Sequence, residues 1–165
     1  MTNTATVQMP RDAQVPRSEA DTSKNPRQIS LTISADPNDI RVCLTDLKVE
    51  FASAKLATDL VINTELVLAE LLNNIAEHSF SGRSGGVIKL QIALSCNAVR
   101  LVLEDNGRPM PNLSLPDPDR PELDVALENL PEGGFGWFMI RRLTSELSYS
   151  RIGQRNQLIA VIPLP

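Results

Sequence analysis

Polar side chains interrupt an otherwise apolar helical stretch, ELVLAELLNNIAEHSF (65–80). Glu70, Asn74, Glu77 and His78 fall on one stripe when successive residues are placed about 100° apart. The Leu, Val, Ile and Ala positions pack such a helix into a core. A carboxylate, an amide and an imidazole stacked along one edge therefore need a reason. Glu70, Asn74 and His78 recur every four residues, drifting by about 40° each time. A carboxylate so placed can take the proton of a hydroxyl nucleophile. A neutral amide oxygen four residues on suits the shell of Mg²⁺, which prefers hard oxygen ligands and keeps several waters. The competing reading is a solvated stripe on an amphipathic helix.

Two further polar insertions stand in the chain. EDNGRP (104–109) directly follows a strand-like run. Asp105 at a strand end can hold a donor such as an exocyclic amine, and Gly107 permits a positive φ and close approach of the backbone to a flat ligand. A plain Asp-Asn-Gly turn is the alternative. GGFG (133–136) opens a helical run that carries Trp137 to Leu147. Gly133, Gly134 and Gly136 would leave backbone N–H groups bare at a helix start, where an anion is favoured. Phe135, Trp137, Phe138, Met139 and Ile140 are expected in the core or on a partner surface. Taken together, the three insertions describe an acid/amide helix, an Asp-Gly turn and a phosphate-ready helix start.

Those side chains need elements to carry them. QISLTIS (28–34) alternates as a half-buried strand does, and Asp36-Pro37 reads as an N-cap with Pro at the first helical position. Ile40, Cys43, Leu44, Leu47 and Phe51 mark the inward face of that first helix. The second helix is expected to start near 59–63 and end around His78, before the breaker SFSGRSGG (79–86). VIKLQIAL (87–94) and VRLVLED (99–105) form an antiparallel hairpin across SCNA. Residues 108–132 hold six of the chain's 12 prolines, a long loop of the kind that is functional or disordered. FGWFMIRRLTSEL (135–147) restores helical periodicity, and strands near 147–152 and 157–162 close the chain. The order β-α-α-β-β-loop-α-β-β predicts an α+β fold with a mostly antiparallel sheet and helices on one face. Residues 1–27 show no sustained periodicity and read as a disordered or weakly ordered tail.

A chain of 165 residues, 42% hydrophobic and 22% charged, is one ordinary globular domain. Its formal charge of -4 without a dense basic tract argues against a nucleic-acid surface. No apolar run approaches the roughly 20 residues of a membrane span, and the N-terminus lacks a signal-peptide core, which points to the cytoplasm. Cys43 and Cys96 fit no metal or redox spacing and are expected as buried thiols.

Glu70-Leu-Leu-Asn73-Asn74-Ile-Ala-Glu77-His78 resembles the N box of the GHKL ATPase/kinase superfamily. Asp105-Asn-Gly107 resembles its G1 box and Gly133-Gly134-Phe135-Gly136 its G2 box. The order and spacing of these boxes, over about residues 28–163, look most like the anti-sigma regulatory factor branch, the serine/threonine protein kinases of bacterial partner switching. The resemblance implies a Bergerat fold: a two-layer α/β sandwich with a mixed, mostly antiparallel sheet of about five strands, binding ATP under a mobile lid over residues 108–132. It implies Glu70 as catalytic base, Asn74 as Mg²⁺ ligand, Asp105 as reader of the adenine amino group and Gly107 as adjoining backbone. Gly133, Gly134, Phe135 and Gly136 would form the phosphate-side segment. It further implies a STAS-domain anti-sigma antagonist as Ser/Thr substrate, a sigma factor or other regulator as competing partner, and a homodimer on the first strand and helix. Two departures stand out. Pro109 replaces a common second glycine of the G1 box, and His78-Ser79 replaces His-Gly, with His78 expected to cap or pack the helix end. A non-catalytic ATP-binding module that sequesters a partner is the main alternative. A sensor histidine kinase fragment and a self-standing ATPase are the others.

Overall fold

The computed structural model describes residues 26–81, 85–116 and 135–165. The expected tail, the middle of the 79–86 breaker, most of the lid, and Gly133 and Gly134 lie outside these residues. Five strands, β1 (Arg27–Ser34), β2 (Val87–Leu94), β3 (Ala98–Asp105), β4 (Glu146–Ile152) and β5 (Arg155–Pro163), form one sheet in the order β1-β2-β3-β5-β4. Among the described residues every pairing is antiparallel, where a mixed, mostly antiparallel sheet was expected. Three α-helices, α1 (Pro37–Ser53), α2 (Thr58–Asn74) and α3 (Phe135–Leu143), with two short helical turns over Ile75–Ser79 and Pro111–Leu113, complete the described elements.

Period-two alternation decides which face of the sheet is dry. Ile88, Leu90, Ile92 and Leu94 of β2 point into the core, while Val87, Lys89 and Gln91 are exposed. Register aligns these rows across the sheet: Leu90 lies opposite Leu103, and Leu103 opposite Leu158. One step along, the inward row reads Ile88, Asp105, Asn156 and Arg151, each opposite the next. The core thus turns from apolar to polar at one end of β3, β5 and β4. That end is where the site lies.

α1 begins as its sequence requires, with Pro37 as first residue and Asp36 Oδ1 accepting from the Asn38 amide at 2.8 Å. Ile40, Cys43, Leu47 and Phe51 recur at helical spacing and are all buried. α2 buries Leu60, Val67, Leu68, Leu71 and Leu72, and the hydroxyl of buried Thr64 is satisfied by the Leu60 carbonyl at 2.7 Å. Its α-helical ladder stops at Asn74 and widens into a π-turn over Ile75–Ser79. α3 is shorter than its periodicity suggests. The run predicted to continue to 147 leaves the helix after Leu143, because Glu146 and Leu147 pair with Val161 and Ala160 of β5. Cys43 is buried, and burial followed by the nearby Asp46 charge pushes its thiol pKa up. Cys96 is exposed in the β2–β3 turn, contrary to its expected burial: three residues joining two strands leave it no core to enter.

Candidate functional site

A cleft of about 620 Å³ opens between the end of α2, its π-turn, residues 108–111, Pro116 and Trp137 of α3. Asn74, Glu77, His78 and Ser79 come to it from one wall, and Arg108, Pro109 and Met110 from the other. Three members of the sequence stripe therefore do share one surface. π-turns concentrate at functional sites because the extra residue re-aims the side chains that follow. His78 is exposed on the cleft wall instead of capping or packing the helix end, since the π-turn carries the chain on to Ser79 before the helix stops.

The Asn74 amide nitrogen is buried and has no hydrogen-bond partner. A buried amide left unpaired costs about 1–3 kcal/mol, so native structures leave few of them without cause. Asn74 itself is one of the residues that line the cleft. Among the described residues no group of three or more His, Cys, Asp or Glu side chains could hold a metal. A lone amide does fit Mg²⁺, which is usually held by few protein ligands together with phosphate oxygens and water.

Glu70 does not line the cleft. It points instead at the start of α3, where a Cβ built on Gly136 would lie 2.5 Å from Glu70 Oε2. Gly136 is thus the gap that admits the carboxylate to the first turn of that helix. Phe135, also expected in the site, is 43% exposed and absent from the cleft wall. Trp137 takes its place there, with one face in the core and one on the cleft.

Asp105 is only 5% exposed and stands behind the wall formed by Ser79. Its Oδ1 accepts from the Gly107 amide and from Asn156 Nδ2, both at 2.8 Å. Burial raises its pKa above the ordinary carboxylate value, while Asn156, the Gly107 amide, Arg151 and the Ser79 hydroxyl each pull it back. Gly107 is required here for a reason other than a positive φ, which it does not have. A Cβ at that position would meet Ser79 Cβ at 2.5 Å and the Ser79 carbonyl oxygen at 2.6 Å. Close approach is made to the π-turn, and the Arg108 amide seals it by donating to that carbonyl at 2.9 Å.

Sequence reasoning missed the support for this turn. Tyr149 Oη donates to Asn156 Oδ1 at 2.7 Å and accepts from the Met110 amide at 3.1 Å. Arg151 Nη1 donates to Asn156 Oδ1 and to the Gly107 carbonyl, and Asn156 Nδ2 reaches the Arg108 carbonyl at 2.8 Å. A buried Asn opposite Asp105 was foreseeable only from the β3–β5 register. Arg141 of α3 also holds the Pro116 carbonyl at 2.8 Å, tying the far end of the described loop to that helix.

With its helices on one side of an antiparallel sheet and its cleft beside the end of α2, the chain has the architecture of a GHKL-type ATP-binding domain. It belongs to the histidine kinase-like ATPase domain family, which it matches over residues 33–162. It is similar to blue-light-activated histidine kinase 2 of Erythrobacter litoralis, at 32% identity over 60% of this chain and 26% of that protein. The chain spans about a quarter of that relative's length. The RsbU and RsbW domains of Rv1364c from Mycobacterium tuberculosis share its fold, with a TM-score of 0.54 and 17% identity over 84% of this chain and 32% of theirs. The histidine kinase domain of the Erythrobacter litoralis EL346 blue-light kinase aligns at 28% identity and a TM-score of 0.44, over 64% of this chain and 45% of that one. No helix of the described residues is long and apolar enough to cross a membrane.

Proposed function

We propose that this domain is an ATP-dependent serine/threonine protein kinase acting in the cytoplasm as an anti-sigma-type regulatory switch. Its substrate on this reading is a STAS-domain antagonist, and a sigma factor or another regulator competes for the same protein. The observation that carries the nucleotide part is the buried, unpartnered Asn74 amide at the wall of a cleft large enough for a nucleotide. Asn74 would hold Mg²⁺ jointly with phosphate oxygens. When bound, that ion neutralises phosphate charge and orients the triphosphate. Asp105 accepts from the adenine amino group. The first turn of α3 faces the phosphates with its backbone N–H groups. Glu70, held at that turn, takes the proton of the partner's hydroxyl as its oxygen bonds to the γ-phosphorus and ADP departs. Positioning and fixed charge supply most of the acceleration. The phosphate added to the partner carries roughly -1.5 to -2 charges, enough to break one interface and free the kinase for its other partner.

The deciding experiment measures Mg²⁺-dependent ATP binding and transfer of labelled γ-phosphate to a purified STAS protein. Asn74→Ala is expected to lose Mg²⁺-dependent affinity by more than about tenfold, since it removes a hard oxygen ligand. Glu70→Gln is expected to bind ATP as wild type does and to lose transfer by a factor of roughly 100 or more. Equal transfer by Glu70→Gln removes that residue as base. A wild-type protein that binds both ATP and the STAS partner yet moves no phosphate is a sequestering module instead. The likeness to a histidine kinase favours a second reading, in which the acceptor is a histidine supplied by another segment.

A further inference from the structure

β1 ends the sheet and pairs with β2 alone, so its other edge has no partner strand among the described residues. Between that strand and α1 lies a groove of about 510 Å³, separate from the nucleotide cleft. Ile29, Leu31 and Leu47 give it an apolar floor. Its rim on α1 is acidic: Asp39, Asp46 and Glu50 line it, and their spacing places all three on one helical stripe. Glu50 is paired with Arg27, whereas Asp39 and Asp46 have no salt-bridge partner among the described residues.

The chain itself arrives at this groove. Arg27 opens β1, donates from Nη1 to Ser53 Oγ at 2.8 Å and pairs through Nη2 with Glu50. Residues 1–25 therefore join the fold beside the last turn of α1. Extended, they reach at most about 80–90 Å, against roughly 27 Å for the eight residues of β1, which leaves ample chain to turn back. The Pro-Arg pair at 26–27 occurs twice more upstream, in Met9-Pro10-Arg11 and Val15-Pro16-Arg17. Proline fixes φ and holds the residue before it extended, and alternate residues of extended chain face one way. Met9 with Arg11, and Val15 with Arg17, each offer an apolar group and a cation on one side, which is what the floor and rim of the groove require.

We propose that residues 1–25 fold back into the groove between β1 and α1, with Met9 and Val15 on its apolar floor and Arg11 and Arg17 on Asp39 and Asp46, so that the chain caps its own sheet edge. Charge complementarity selects this occupant. Tethering supports it, because a segment of the same chain meets the groove at a high effective concentration. Another protein that uses this edge must first displace the segment. None of this depends on what the nucleotide cleft binds.

The test is a disulfide trap in the full chain, with Cys43→Ala and Cys96→Ser removing the native thiols. Val42 is 56% exposed on the groove wall, and Val15→Cys combined with Val42→Cys is expected to cross-link within one chain under mild oxidation. Val15→Cys combined with Ile152→Cys, on the strand at the other end of the sheet, is expected not to. Arg11→Glu with Arg17→Glu should cut the yield at least about fivefold, since attraction becomes repulsion. Adding Asp39→Lys and Asp46→Lys should restore it. A second measurement leaves the folded part untouched. Hydrogen exchange at the β1 amides should run at least about threefold faster in Arg11→Glu/Arg17→Glu than in wild type. Disulfides between chains, rising with protein concentration, would place a second copy in the groove and overturn the proposal. So would the absence of the intrachain bond, a bond that forms equally well at Ile152, a yield indifferent to the charge reversals, or β1 exchange that the tail substitutions leave unchanged.

Discussion

Burial raises the proton affinity of Asp105, and the groups around it only partly restore the ordinary value. The folded carboxyl therefore binds its proton more tightly than the unfolded one, whose pKa is about 3.9. Between those two values the native state carries more protons than the unfolded state, so stability falls as pH rises through that window. Above it the cost of the buried carboxylate is fully present, and below about pH 4 it is gone. Asn at this position would still accept at one oxygen from the Gly107 amide and Asn156. Asp105→Asn should accordingly melt at or above the wild-type temperature at pH 7, with the advantage shrinking as pH falls toward about 4. Its ATP affinity should drop by at least about tenfold, because an NH₂ group then faces the base. Thermal melts across pH alongside binding at pH 7 check both halves. A destabilisation at pH 7 equal to that at pH 4 would show that burial is not the governing cost.

Between elements, the contact that matters most is α2 against α3 at Glu70 and Gly136. A methyl group at Gly136 lands on Glu70 Oε2, the far end of a flexible side chain, so the fold can yield without moving backbone. Ala is also favoured over Gly in a helix by up to about 1 kcal/mol. Gly136→Ala should therefore fold with unchanged or slightly higher stability while pushing the carboxylate from its place. Transfer should fall by roughly tenfold or more while ATP binding holds. Combining it with Glu70→Gln should add little further loss, since both act on one group. A kinetic cycle of the four proteins, read beside their melting temperatures, tests this. The same contact marks what the sequence made legible. Element order, the Asp36-Pro37 start of α1 and the inward rows of β2 and β3 followed from periodicity and capping, which are local. Of the Glu70–Asn74–His78 spacing, Asn74 and His78 come to line the cleft. Spacing alone could not tell that a π-turn would expose His78, that Glu70 would turn toward α3 and away from the cleft, or that Glu146 would leave a helical pattern to pair with β5. Those outcomes depend on partners far along the chain. Asn156, Tyr149 and Arg151 escaped notice for the same reason: their importance appears only once register sets them beside Asp105.

For the whole molecule, the polar end of the sheet and the cleft lie together, and the reacting hydroxyl or imidazole must be brought to them. The chain's one histidine, His78, lies on the cleft wall itself. It stands four residues from Asn74, as part of the surface that receives the nucleotide and not across from it. Under the proposed reading the acceptor is supplied by a partner, and the chemistry of the product identifies which kind. A phosphoester on Ser or Thr survives hot acid, whereas a phosphoramidate on His is hydrolysed by acid and survives base. Transfer of labelled γ-phosphate to a STAS partner should give a product that keeps its label through acid and loses it on β-elimination in alkali. Substituting the acceptor hydroxyl in the partner should abolish labelling while leaving the two proteins able to bind. Acid-labile label would assign the domain to histidine phosphorylation, in keeping with its Erythrobacter litoralis relative. It would require a different proton inventory at Glu70, because a neutral imidazole nitrogen attacks without first giving up a proton.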